Sequence, residues 1–462
     1  MGVCEKTQSR WQPRKHKARL VAAGCGQIKG IDFETGYSPV VRGSSVRLLL
    51  TVAAAKGYVL RFFDTVGAYL YAPMTRAVYV AQPPGFEKLD DAGKPFVCLL
   101  NKSLYGLPES GRNWFNTVCS ILKKAGLQQS QYDPCIFFSI SDNHYFLCSI
   151  WVDDKAFVAD SNKTIEKFVK KINQEIEMIE VKSQNYLGME ISRSHSGITL
   201  SNKEYIEKKL SDYRLDKINP VRSVCSELKP LGENPQSKLV CQSLYREMLG
   251  CLMFISNTSR PDIQYQVQAL SKFSNSPREA HLNAMKRVFA YLKSTVNQAL
   301  HFPPGEMGSL SVCADASWSS MEDSKSVSGV CIRIGKVPLV WKTKKQDMVA
   351  HSSCESEVEA MCLGVKLMKP ITGLLSEICP GSLEYPIVLE TDSRSGMELI
   401  INGGSSNSTH YLRRINILRN EVDNGNVRMK FIPSSQCSAD ILTKPCTGIK
   451  TGEIAKKEFL LY

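Results

Sequence analysis

Three acidic positions carry the first chemical suggestion in this 462-residue chain. Asp64 closes the apolar run YVLRFFD, and Asp153 and Asp154 sit side by side between the apolar stretches CSIWV and AFVAD. Phosphoryl transfer to a growing 3′ end needs divalent metals that activate the attacking oxygen and stabilise the leaving one, and Mg²⁺ prefers hard oxygen ligands such as these. Two or three converging Asp suffice. A single Asp at a strand end is more often a turn former, and a DD pair flanked by apolar strands weakens that alternative without removing it.

For these acids to meet, the chain around them must form neighbouring strands. YVLRFFD reads as a buried strand, preceded by a helix over Ser44 to Lys56 with Ser at its start. Glu109 to Gly126 has helical periodicity. CIFFSI, the turn residues SDNH and YFLCSIW then make a hairpin whose second strand runs into Val152, Asp153 and Asp154, so the double carboxylate falls in or beside a tight turn. Lys163 to Met178 reads as an amphipathic helix, followed by short strands around YLGMEI and ITLS. Ile218 to Ser243 is polar and Pro-containing, consistent with a linker or a loosely packed segment. A helical stretch rich in Lys and Arg runs from Leu244 to about Leu300. After the PPGE turn, SLSVCAD, SGVCIRI and PLVWKTK are three strands before a helix over Cys354 to Met368, and a further strand and helix complete a second α/β unit.

Length and a 43% hydrophobic content suit two or three globular domains. Lys and Arg outnumber Asp and Glu by 58 to 45, and the formal charge of +13 favours polyanionic partners, nucleic acid first, although a merely soluble basic protein fits as well. The 16 Cys are scattered without a CxxC pair or zinc-ligand spacing, so reduced thiols are expected. No secretion signal and no apolar run of membrane-spanning length is visible, which implies an intracellular protein or a piece processed from a larger one.

The blocks KARLVAAG, GIDF, YSPVV, SVRLLL, VYVAQPPGF, NKSLYGLPESGRNW, WVDD and YLGMEI, in that order and spacing, resemble the reverse transcriptase of copia-type (Pseudoviridae) LTR retrotransposon Pol polyproteins. The resemblance spans Lys17 to Lys444. It implies that FDTVGAYL is the first catalytic block, with Asp64 a metal ligand and Tyr69 beside the incoming sugar, where retroviral relatives exclude a ribose 2′-OH. WVDD resembles the YxDD signature, making Asp153 the second ligand and Asp154 a neighbouring acid of the same metal site. LYGL, with Gly106, lies where the family lines the nucleotide pocket. Tyr186, Leu187 and Gly188 in YLGMEI resemble the primer grip. Lys17 and Arg19 fall in the basic fingers segment that meets the triphosphate; as residues alone they read equally as solvated surface charges.

CADASW, WKTKKQ and ADILTKP resemble the same family's RNase H region, which hydrolyses the RNA of an RNA–DNA hybrid through two metals held by acids. The resemblance implies Asp315, Glu357, Asp392 and Asp440 as the catalytic and metal-binding set. SSCESEV aligns Glu357 with the second Glu of the family's SSTEAEY, leaving Glu355 and Glu359 as surface acids. Between the two regions a basic helix with Lys286, Arg287 and Lys293 could track a duplex by phosphate contacts, or carry ordinary surface charge.

The implied fold is an α+β polymerase palm with partial fingers and a thumb, then an α/β RNase H-like domain. Residues 1–215 would hold the reverse transcriptase, 216–305 the thumb and connection, 306–446 the RNase H-like domain and 447–462 a tail. The implied activity is RNA-directed DNA synthesis with RNase H activity, using Mg²⁺ (or Mn²⁺) in two-metal sites. The partners are an RNA template, a DNA primer, an RNA–DNA hybrid and dNTPs, with integrase and protease encoded upstream and no membrane contact. The location would be cytoplasm, in a virus-like particle, or nucleus. This chain departs from the family pattern at Trp151 for Tyr, at Pro108 and Glu109 for a basic residue and an amide, at Ser393 for Asn, and around His410, Arg413 and Arg414. The family also carries more fingers residues upstream. A truncated, catalytically inactive remnant that at most binds nucleic acid is the competing reading. A basic nuclease with only the C-terminal site would leave WVDD, YLGMEI and LYGL unexplained.

Overall fold

The apolar runs around the paired acids fold back on one another. His144–Trp151 and Asp154–Ala159 pair antiparallel across a two-residue turn, and Val59–Thr65 lies against the other side of Asp154–Ala159. Period-2 alternation cannot explain Lys155–Ala159, buried at every position; such a run suits a central strand covered on both faces. The computed structural model describes residues 2–5, 16–183, 185–225, 232–320, 323–403, 411–445, 457 and 459, without the side chains of 2–5 and 16–18.

The chain divides into two compact units. The first comprises Met1–Val41 and Val59–Lys182. Its six-stranded antiparallel sheet runs in the order Met178–Glu180, Val59–Thr65, Asp154–Ala159, His144–Trp151, Ile136–Ser141, Gln128–Gln129. Helix Ser110–Lys124 buries Trp114, Val118 and Leu122, and helix Asn162–Ile172 buries Ile165, Phe168 and Ile172. The latter begins at Ser161, whose side chain accepts from Thr164 N–H, a standard N-cap. It ends six residues before the expected Met178, because Met178 leaves the helix to pair with Thr65 on the sheet edge.

The second unit comprises Arg42–Tyr58 and Ser183–Tyr462. Its first sheet has the order Asn185–Tyr186, Met189–Ser194, Gly197–Ser201, Leu300–Phe302. Where one long helical stretch was expected, three helices stand: Gln242–Thr258, Gln264–Ser271 and Glu279–Ser294. Pro261 and a fully buried Arg260–Asp262 pair, 2.7 Å apart, interrupt them, and the Tyr291 hydroxyl donates to the same carboxylate at 2.7 Å. Helix Lys203–Asp212, absent from the sequence reading, joins their core through Ile206 and Leu210.

Helix Gly43–Ala55 is apolar all round, with Ser45 to Ala54 buried. Its one charge, Arg47, donates to the carbonyls of Leu339 (2.8 Å), Asn257 (3.0 Å) and Thr258 (3.1 Å) and stacks on the Trp341 indole at 4.0 Å. Trp341 Nε1 in turn donates to Ser256 O at 2.7 Å. Arg47 is thus a buried cation satisfied by backbone carbonyls, the condition under which burying it is tolerable.

The five-stranded sheet of this unit is mixed. Val337–Lys345, Val327–Ile334 and Leu310–Ser317 are antiparallel neighbours, and Ile387–Thr391 and Val427–Phe431 continue in parallel from the third. The strand order 3-2-1-4-5 with a long helix, Ser353–Ile378, packed on it is the RNase H-like arrangement, so the fold is a palm-type α+β sheet followed by an α/β RNase H-like domain. The long helix runs ten residues past the expected Met368, through Pro370.

Candidate active sites

In the first unit, strand pairing brings Asp64 and Asp154 together, while the ligand oxygens of Asp64, Asp153 and Asp154 do not all converge within 4.8 Å as those of Asp315, Glu357 and Asp392 do. Asp64 and Asp154 are direct partners across Val59–Thr65 and Asp154–Ala159, which sets their Cα atoms about 4.5–5.5 Å apart. Asp153 occupies the adjoining turn, where Val152 has a positive φ of 51°. Three donors hold that turn. Trp114 Nε1 donates to Val152 O at 2.8 Å, and the Asp153 carbonyl accepts from Thr65 N–H at 3.0 Å and from Lys155 Nζ at 3.2 Å. Trp151, where the resemblance expects Tyr, pairs with Asp154 and is 36% exposed.

Tyr69 lies beside the acids, its ring 4.7 Å from that of Tyr105, and the Arg19 guanidinium sits 5.6 Å over Tyr105. Burial, then the Asp153 charge, push both phenols above the ordinary tyrosine range, so both rings feel the acid turn. Gly106 shapes this wall sterically: at φ 94° a Cβ there would lie 2.1 Å from Ala22 O, and Ala22 N–H donates to Tyr105 O at 2.8 Å. Only glycine lets the Arg19 segment close on Tyr105. The Lys17 side chain lies outside the described residues. Glu109, one of the departures, is 5% exposed and accepts from Arg76 Nε at 3.1 Å, so its charge is balanced inside the fold.

Tyr186, Leu187 and Gly188 form, in the second unit, the tip of the hairpin Asn185–Tyr186 and Met189–Ser194, Leu187 and Gly188 having positive φ of 55° and 74°. Tyr186 is 2% exposed and anchors the hairpin, leaving half-buried Leu187 and exposed Gly188 as the accessible tip. Of the basic helix, Arg287 donates to Ser223 Oγ at 2.9 Å and Lys293 to Ile218 O at 3.0 Å, so two of its three cations serve internal contacts.

The second acid cluster forms on the RNase H-like sheet. Asp315 on the central strand, Glu357 on the long helix and Asp392 just after Ile387–Thr391 offer ligand oxygens all within 4.8 Å of one another. The Glu357 Oε2 atom is buried without a hydrogen-bond partner, while the Ala316 N–H donates to the same carboxylate. Burial first, then Asp315 and Asp392, hold Glu357 far above the carboxylate range, and burial likewise raises Asp315. Three hard oxygens, one unsatisfied, and mutual repulsion fit a divalent cation. Asp440 stands apart from this triad, its Oδ1 held by Lys444 at 2.6 Å. Gly329, opposite Asp315, admits the 439–443 segment, since a Cβ there would meet Thr443 at 2.6 Å. Thr443 Oγ1 then reaches Asp315 Oδ2 directly.

Glu355 is not the expected surface acid: it is 8% exposed and accepts from the His351 N–H at 2.7 Å, closing the helix start that Ser352 caps. Glu359 pairs with Arg414, and His410 lies outside the described residues. Sequence reasoning missed Lys155, Arg76 and Thr443, and reached Tyr105 only as part of the LYGL block. Lys155 alone left a readable signal, a charge inside an apolar strand.

A family model described as "Reverse transcriptase (RNA-dependent DNA polymerase)" matches residues 3–225. The chain is 31% identical to the retrovirus-related Pol polyprotein from transposon RE1 of Arabidopsis thaliana, over 96% of this chain and 30% of that one. It is 31% identical to the corresponding polyprotein from transposon TNT 1-94 of Nicotiana tabacum, over 93% of this chain and 33% of that one. A putative transposon Ty5-1 protein of Saccharomyces cerevisiae is 30% identical, over 64% of this chain and 96% of its own length. The chain thus spans about a third of the two plant polyproteins.

Proposed function

From the premise that this chain belongs to the reverse transcriptase family of copia-type retrotransposon Pol polyproteins, we propose that it is an RNA-directed DNA polymerase whose second unit cleaves the RNA of RNA–DNA hybrids. The observation that supports this most directly is the pairing of Asp64 with Asp154, with Asp153 on the adjoining turn. Asp64, Asp153 and Asp154 would hold Mg²⁺, or Mn²⁺, at the first site, and Asp315, Glu357 and Asp392 at the second, with Asp440 orienting Lys444 beside it. Bound there, the ions supply Lewis acidity and lower the pKa of the attacking oxygen.

The remaining work falls to the chain. Tyr69 and Tyr105 offer an aromatic wall for the incoming nucleotide, and Arg19 brings a cation over that wall for its triphosphate. The accessible Leu187–Gly188 tip is the part of the expected primer grip that can meet a primer. Thr443 and the Ala316 N–H fix Asp315 and Glu357 in place for hydrolysis. The net charge of +13 favours template, primer and hybrid as polyanions. Among the described residues no helix is long and apolar enough to cross a membrane.

The test is primer extension by the 462-residue chain on poly(rA)/oligo(dT) with Mg²⁺, alongside cleavage of a labelled RNA–DNA hybrid. Asp153→Asn should abolish extension and spare cleavage, and Asp315→Asn should do the reverse. A wild-type chain that binds hybrid but neither extends nor cleaves would instead identify an inactive remnant.

A further inference from the structure

Lys155 follows the paired acids directly and is fully buried, an expensive position for an ammonium group. Its strand neighbours Ala156 to Ala159 are all apolar and buried, so packing alone would favour an aliphatic residue there. The ammonium is instead met on three sides. It donates to Thr65 Oγ1 and to Asp153 O (3.2 Å), and it lies 5.5 Å from the Trp114 ring centroid. Thr65 is the residue after Asp64, and its N–H donates to the same Asp153 carbonyl at 3.0 Å. Both lone-pair directions of that carbonyl are therefore engaged, one by each strand that carries an acid. Trp114, which faces the ammonium, also holds Val152 O. Burial acts most strongly on Lys155 and lowers its pKa to about 8, while Cys148 and then Asp153, Asp64 and Asp154 favour its charged form.

We propose that Lys155 is a built-in counter-cation and positioning residue of the first acid site. It locks the Asp153 turn and offsets the repulsion among Asp64, Asp153 and Asp154 before a divalent ion binds, so that the site is assembled in advance and binds the ion less tightly than three bare carboxylates would. This deepens the polymerase reading of the site and rests on it. The trade follows from electrostatics: a fixed positive charge behind the acids lowers the cost of holding them together, and it also repels an incoming cation. A lysine that only fills space would do neither.

The experiment uses the full chain carrying Asp315→Asn and Asp392→Asn, which removes the second cluster, and compares it with the same chain carrying Lys155→Met. Lys155→Gln, which keeps a donor for Asp153 O without the charge, serves if the methionine variant does not fold. Mn²⁺ binding is followed by the EPR signal of the free ion, and melting is recorded in EDTA and in Mn²⁺. The neutral variants should bind Mn²⁺ about tenfold more tightly, each tenfold being one RT ln 10 of charge repulsion removed. They should also melt lower than the parent in EDTA and recover in Mn²⁺. Equal or weaker Mn²⁺ binding, with melting lowered alike in both conditions, overturns the proposal and leaves Lys155 a packing residue. If the parent's own Mn²⁺ binding is unchanged by Asp153→Asn, the metal-site reading itself fails, and the inference falls with it.

Discussion

The Glu109 carboxylate rests against Arg76 Nε at 3.1 and 3.2 Å, the acid nearly buried and the arginine side chain one-third exposed. This pair turns a departure from the family pattern, an acid where the family has an amide, into an internal contact with balanced charge. Arg76→Ala would leave the carboxylate buried and unpaired, with an expected loss of roughly 2–3 kcal/mol in urea denaturation. Arg76→Ala combined with Glu109→Gln should recover most of it. A single variant as stable as wild type would show that the pair is incidental.

Gly106→Ala should be severely damaging. The new methyl would lie 2.1 Å from Ala22 O at a φ of 94°, so the Ala22 to Gly24 segment must move off Tyr105. Backbone strain alone is worth about 1–3 kcal/mol. The KM for dNTP should rise more than kcat falls, measured by steady-state extension; unchanged KM would mean that the wall does not touch the nucleotide.

Tyr69→Ala and Tyr105→Ala are expected to separate. Removing Tyr69, the ring beside the acids, should raise ribonucleotide incorporation relative to deoxyribonucleotide by about 10–100-fold, the scale on which a lost steric contact changes selectivity. Removing Tyr105 takes away the support of Tyr69 and the seat of Arg19, and should weaken both nucleotides alike. Equal selectivity in Tyr69→Ala would place the sugar elsewhere.

The second cluster links stability to pH. Burial pushes Glu357 from 4.5 up to about 9 and Asp315 from 3.8 up to about 6, with neighbouring acids adding to both. A carboxyl raised in the folded state stabilises below its unfolded pKa and loses that contribution as pH climbs to its folded value. Metal-free protein should therefore lose about 2 kcal/mol or more between pH 5 and pH 9, while Mg²⁺, replacing the protons, flattens the slope. Melting in EDTA and in Mg²⁺ tests this, and Glu357→Gln should flatten the EDTA curve as well. A slope unaffected by either would dissociate these acids from metal binding.

How far the sequence reached depended on whether a feature was local. The apolar strands ending at Asp64 and flanking Asp153 were readable because period and turn residues lie within ten positions of each acid. The triad of Asp315, Glu357 and Asp392 was reached through the family resemblance, and residue types alone could not have chosen Glu357 among three glutamates on one helix. Glu355 was misjudged because its partner is a backbone N–H, which no sequence pattern displays. Helix Asn162–Ile172 was drawn too long because the sheet edge competes for Met178. The Arg76–Glu109 pair and the Tyr69–Tyr105 contact join residues more than thirty positions apart, where spacing carries no information.

Helix Gly43–Ala55 has a consequence for how the chain is made. Arg47 finds its carbonyl partner at Leu339, 292 positions later in the chain, and Trp341 after that, so the helix is synthesised well before that part of its covering. Until those positions are made the helix lacks that part of its covering, a state in which nascent chains aggregate or recruit chaperones. A copy of this gene cut short before the RNase H-like sheet would lose more than its second acid cluster: it would strand a helix that lies, in sequence, among the residues of the first unit.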